Sequence, residues 1–200
     1  MDTRQPEQPG TAELDEGLLL LEQGDADRAR AALERAAASG DAEAAPTAAF
    51  TLGQLYEDLG DAEGAQSAYR AAAAAGHPEV SSAAAFNLGV LLQELGDPDG
   101  ARAAYRMAID SGHADHAPRA AFNLGGLLRD AGDIAGACAA FRITIDSGDP
   151  VGAPVAALEL GQLLQQQGDL EAARAAFEIA AAGDDDLAHY ARMRLKGLRT

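Results

Sequence analysis

The stretch AAFNLGVLLQELGD at Ala84–Asp97 returns, altered but recognisable, as AAFNLGGLLRDAGD at Ala120–Asp133. The copies start thirty-six residues apart, and that interval orders nearly the whole chain. Leu-Gly pairs fall at Leu52-Gly53, Leu88-Gly89, Leu124-Gly125 and Leu160-Gly161. Gly-Asp pairs fall at Gly24-Asp25, Gly60-Asp61, Gly96-Asp97, Gly132-Asp133 and Gly168-Asp169. Alanines recur at Ala29, Ala65, Ala101, Ala137 and Ala173, and four residues beyond each stands a large side chain: Leu33, Tyr69, Tyr105, Phe141 and Phe177. Glycines close the unit at Gly40, Gly76, Gly112 and Gly148.

The punctuation says what the unit is. A glycine tolerates the left-handed conformation that ends a helix. The aspartate after it accepts hydrogen bonds from the open N–H groups of the next helix, and its charge suits that end of the helix dipole. Each unit is therefore helix A, a tight Gly-Asp turn, helix B, and a looser turn around SGH or SGD. Pro46, Pro118 and Pro154 stand near the start of helix A, where a missing N–H costs nothing. Abundant Ala and Leu favour helix throughout, and no window alternates as a strand would.

No single unit buries its own apolar face, so units must stack. The fold class expected is all-α: an α-α superhelical solenoid of five helix-turn-helix repeats, at about 11–43, 44–79, 80–115, 116–151 and 152–183. Repeat one is degenerate, with Glu16 where the others have leucine. Residues 184–200 carry acids at one end (Asp184–Asp186) and Arg192, Arg194 and Lys196 towards the other, with Leu187, Tyr190, Ala191 and Leu195 on one side. They read as a capping helix over repeat five. Residues 1–10 read as a disordered tail.

These motifs resemble the tetratricopeptide repeat. Leu52, Gly53, Tyr56, Ala65, Tyr69 and Ala72 match that family's pattern in order, as do Leu88, Gly89, Ala101, Tyr105 and Ala108 with their counterparts in later repeats. The unit is longer than the family's usual one, and its large first aromatic is replaced by Ala49, Ala85 and Ala121. The endings AAAAAGH and AIDSGH are also similar to Sel-like repeats. The resemblance implies a non-catalytic scaffold that binds a protein or peptide along a concave groove lined by the A helices.

On that resemblance the groove positions are Phe50, Thr51 and Gln54 in repeat two and Phe86, Asn87 and Val90 in repeat three. They continue with Arg119, Phe122, Asn123 and Arg129 in repeat four, and Glu159 and Gln162 in repeat five. An amide offers an acceptor and two donor protons, which complements a peptide group, so Asn87 and Asn123 would form a short ladder for a peptide backbone. The phenylalanines would give apolar contact, and Arg119 with Arg129 would attract an acidic side chain. Two alternatives stay open: the asparagines bond to neighbouring helices, and the phenylalanines turn into the interhelix core.

Composition narrows the rest. The chain has 200 residues and a net charge of −17, from 32 acids against 15 bases, with no basic cluster. That argues against nucleic acid and against an anionic membrane surface. Cys138 is the sole cysteine, so a reducing compartment fits, and no stretch is apolar enough for a signal or a span. Cytoplasmic, in a bacterium with GC-rich coding, is the expectation.

No enzyme, metal or cofactor is expected. The aspartates recur at capping places in every unit, which one active site would not do. His113 and His116 flank a turn with no matching ligands elsewhere, and Cys138 lacks a histidine in its own repeat. Two rivals to the peptide scaffold remain: homodimerisation through the N-terminal repeat, where Leu18 and Leu21 lie, and an adaptor role for a separately encoded enzyme.

Overall fold

In the computed structural model the chain is described over residues 10–183 and 185–198. The tail expected at 1–10 lies outside the described residues apart from Gly10, as does Asp184. The chain divides into two compact units, one ending at Ser111 and the other starting at Gly112. Every regular element among the described residues is an α-helix.

In the first unit, α1 (Thr11–Glu22) packs on α2 (Ala26–Ala37), α3 (Ala44–Asp58) on α4 (Ala62–Ala74), and α5 (Val80–Glu94) on α6 (Pro98–Asp110). The hairpins stack through α2 on α3 and α4 on α5. In the second unit, α7 (His116–Asp130) pairs with α8 (Ile134–Asp146) and α9 (Gly152–Gln166) with α10 (Leu170–Ala180). There α8 packs on α9, and α11 (Asp186–Gly197) closes the end against α10 and α9 through Ala191, with Leu187 beside it. The odd-numbered helices α1 to α9 are the A helices, and their partners α2 to α10 are the B helices.

Local chemistry sets each boundary. At the end of α5, Gly96 turns left-handed (φ 76°), and its N–H and that of Asp97 bond back to Gln93 and Leu92 carbonyls at 3.1 and 2.8 Å. Such a pair of bonds satisfies carbonyls that the helix leaves open. Asp97 then accepts the Gly100 N–H at 2.9 Å, capping α6. Asp25, Asp61, Asp133 and Asp169 do the same for α2, α4, α8 and α10.

The looser turns have their own cap. Asp41 and Asp149 accept backbone N–H groups opening α3 and α9. His77 and His113 take the equivalent place before α5 and α7, and there the acceptor is the ring Nδ1, at 3.2 Å from Val80 N and 3.4 Å from His116 N. His113, weighed in the sequence as half of a two-histidine pair with His116, is thus a helix-opening acceptor.

Packing within each hairpin turns on one contact. The Tyr105 ring of α6 lies against Gly89 of α5, so closely that a methyl group there would fall 2.5 Å from ring carbons Cδ1 and Cε1. Phe141 meets Gly125 and Phe177 meets Gly161 in the same way, with such a methyl 2.7 and 2.6 Å from the nearest ring atom. Tyr69 lies over Gly53. These four rings are among the largest fully buried side chains. In repeat one Leu33 replaces the ring over Gly17, and a core of Leu33, Ala36, Ala48, Leu52 and Leu55 ties that hairpin to the next.

Two glycine substitutions separate packing from helix propensity. Gly89→Ala gains about 1 kcal/mol of propensity but drives a methyl into a buried ring, at a cost of about 1–3 kcal/mol. Because the obstructing atoms belong to the body of the ring, the clash is expected to win and the variant to unfold at lower urea. Gly126, also helical, has nothing within 4 Å of its would-be Cβ. Gly126→Ala is expected to raise stability by about 0.5–1 kcal/mol in the same titration.

Candidate peptide-binding face

The A helices of the first unit border a cavity of ≈ 500 Å³ lined by Leu21, Thr51, Gln54, Leu55, Glu57, Asp58, Tyr69 and Asn87. Three residues expected to line a groove, Thr51, Gln54 and Asn87, meet there. Thr51 hands its hydroxyl proton to the Thr47 carbonyl at 2.9 Å, which fixes its rotamer and leaves the oxygen an acceptor.

Tyr69 organises one wall. The whole side chain is buried, and its hydroxyl donates to the Glu57 carboxylate, with Asn87 of α5 lining the same cavity. Burial, then the hydrogen bond and charge of Glu57, push the phenol well above its usual pKa. In the next repeat Tyr105 donates to Gln93 Oε1 at 3.0 Å, so acid and amide serve the same purpose at equivalent places.

The phenylalanines are held by these rings. Phe50 lies 5.9 Å from Tyr69 and Phe86 lies 6.3 Å from Tyr105, centroid to centroid, both tilted. Phe86 is only 9 % exposed, so its ring belongs to the core of its hairpin rather than to the lining. Phe50 stays half-buried, as does Val90.

In the second unit Phe122 is half-buried and lies 5.7 Å from Phe141. Asn123, Glu159 and Gln162 are half-buried, while Arg119 is exposed. Arg129 is claimed by its own unit: Nη1 donates to Glu159 at 2.6 Å and Nε to Asp130 at 3.0 Å. The bond to Asp130 foremost, with further attraction from Glu159, raises its pKa. The expected attraction of Arg129 for an acidic partner is thus met from within. Farther along, Arg194 of α11 donates to Gln165 at 2.5 Å and lies 5.7 Å over the Phe177 ring.

The sequence reading missed Leu55, Glu57, Asp58 and Tyr69 as cavity residues. A signal was there: Glu57, Gln93, Arg129 and Gln165 recur at the same interval as the Leu-Gly pairs, all polar, at the end of an A helix.

Among the described residues no group of three His, Cys, Asp or Glu is placed to hold a metal ion, and no helix is long and apolar enough to cross a membrane. Cys138 is buried, and burial raises its thiol pKa, which makes it a packing residue rather than a nucleophile.

Known proteins agree with this architecture. The tetratricopeptide repeat model matches residues 14–78, 50–116 and 86–150, and a second model of the same description matches 154–178. Among solved structures, the MamA protein superimposes with a TM-score of 0.65 at 20% identity, over 88% of this chain and 91% of that one. Pseudomonas aeruginosa pilF gives 0.65 at 21% identity, over 96% and 85%. YrrB, described as a TPR protein with an unusual peptide-binding site, gives 0.64 at 22% identity, over 94% and 93%. At such identities the likeness establishes the fold, an α-α superhelical solenoid. No curated protein matches the chain in sequence.

The Tyr69 hydroxyl offers a test of the wall. Tyr69→Phe, the residue type that repeats four and five already carry, is expected to lose about 1 kcal/mol near neutral pH with the hydrogen bond to Glu57. A phenol whose pKa is raised on folding contributes stability that is complete below the unfolded value of about 10 and is lost as pH rises beyond it. Urea titrations at pH 8 and 11 should therefore show the gap between wild type and variant narrowing.

Proposed function

The chain belongs to the tetratricopeptide repeat family, whose members are protein-interaction scaffolds and generally not catalysts, and on that premise we propose that its A-helix faces grip an extended peptide segment. The observation that carries this reading is the cavity beside Tyr69, where apolar walls and backbone-competent polar groups share one surface. The Asn87 amide, with donor protons and an acceptor oxygen, suits a peptide C=O and N–H. Gln54 supplies the same chemistry on α3. In the second unit Asn123 stands at the place equivalent to Asn87, and the next A helix carries Gln162. Phe50 and Phe122 contribute ring edges, each in its own unit, while Phe86 packs in the core against Tyr105.

Peptides selected from a random display library on the immobilised full chain supply ligands for the test. Asn87→Ala with Asn123→Ala is expected to weaken a selected peptide about tenfold, the loss of one or two hydrogen bonds. Fluorescence anisotropy measures this, with circular dichroism showing that the variant stays folded. Undiminished affinity in the double variant removes the asparagines from the account.

A second reading rests on Leu18 and Leu19 of α1, which stay 38 % and 53 % exposed. Two adjacent leucines on an end helix suit an isologous contact with a second copy. Sedimentation of wild type against Leu18→Ser with Leu19→Ser is expected to show a dimer only in the former. A monomer at high concentration removes this reading.

A further inference from the structure

We infer that the occupant of the first unit's A-helix face is a basic segment, one that places a Lys or Arg side chain in the cavity beside Tyr69. This rests on the peptide-binding reading and adds the chemistry of the partner. The argument begins with how charge is sorted between helices. In the first unit the A helices carry seven acids (Glu13, Asp15, Glu16, Glu22, Glu57, Asp58 and Glu94) and no Lys, Arg or His. Every base on that unit's helices, Arg28, Arg30, Arg35, Arg70, Arg102 and Arg106, sits on a B helix. Several of those are spoken for: Arg28 by Asp25, Arg30 by Asp27, Arg102 by Asp99, and Arg35 by Glu16. The charged residues of these A helices are thus of one sign, and of the seven Glu16 is already met by Arg35 of α2.

The cavity gives that sign a shape. Leu21 and Leu55 line it together with Glu57 and Asp58, and no cationic residue lines it. A Lys or Arg side chain has this same division, an apolar stem ending in a charge, and buries the stem while its head meets carboxylates. Tyr69 holds the Glu57 carboxylate in place through its hydroxyl, so one acid is positioned before any ligand arrives. An acidic segment would meet two carboxylates at the same spot, with no cation in the lining to offset them. The net charge of −17 adds long-range attraction for a basic partner.

Library selection on the full chain tests this directly. Selected sequences are expected to be enriched in Lys and Arg and depleted in Asp and Glu relative to the input. Bulk charge alone would enrich basic peptides on so acidic a chain, so position must be separated from total charge. Glu57→Gln with Asp58→Asn removes two charges from the cavity, and Gln is tolerated there because Gln93 bonds Tyr105 at the equivalent place. Glu63→Gln with Asp110→Asn removes two charges from B helices.

A selected basic peptide is expected to bind the first double variant about fivefold more weakly than wild type and the second within about twofold, by fluorescence anisotropy. Losses of equal size in the two variants, or selected peptides with no basic excess, overturn the basic occupant while leaving peptide binding intact. A library that yields no binder overturns both.

Discussion

The contact between a helix-A glycine and a helix-B ring sets the geometry on which everything else in each hairpin rests. With no Cβ at Gly53, Gly89, Gly125 or Gly161, a Tyr or Phe from the partner helix lies directly on the helix-A backbone. That brings the two axes close, buries the ring fully, and lets small alanines fill what space remains. The same contact also shapes function. A tyrosine placed there is wholly buried and gives its hydroxyl proton to the residue that ends helix A, so Tyr69 and Tyr105 fix the side chains of Glu57 and Gln93. Where phenylalanine replaces it, the edge is built otherwise, by Arg129 with Glu159 and by Arg194 with Gln165.

The architecture was legible because local chemistry writes it. A left-handed glycine followed by a capping aspartate ends one helix and begins the next within two residues, so Gly96-Asp97 means the same thing in a sequence as in a structure. His113 shows how far such reading goes. Its interval from His77, and their joint correspondence to Asp41 and Asp149, marks a place that needs an acceptor rather than a particular residue. In the sequence the segment from His113 to His116 reads as a plain turn; as one of four equivalents, His113 marks a helix start.

The face was less legible, for a reason of geometry. Phe86 and Asn87 are neighbours on one helix, and a small rotation of that helix decides which of them looks outward. Periodicity fixes that both lie near the boundary and no more. The structure turns Phe86 inward against Tyr105 and leaves Asn87 at the cavity beside the Tyr69 hydroxyl. Arg129 was misjudged for a related reason. Its partner Glu159 lies one repeat further on, so an intact cation in the sequence is half of an ion pair in the fold. Pairing across repeats is invisible until the helices are stacked.

Sorting of charge is a different case, since it needs only the helix assignments. Bulk composition blends acids and bases into −17, and a search for basic clusters finds none. Once the residues are divided between A and B helices, the first unit separates into an acidic face and a face where the arginines sit. Stability does not require such sorting, because i,i+3 pairs such as Arg102 with Asp99 form on any exposed helix and contribute only tenths of a kcal/mol. The repeat frame depends on glycine, ring and cap, none of which constrains the sign of the residue at the end of helix A. Glu57, Gln93, Arg129 and Gln165 occupy that place in successive repeats with no change in the frame around them. A position whose charge the frame leaves open is where partner chemistry can be written, and in repeat two what is written there is the carboxylate of Glu57, followed by that of Asp58.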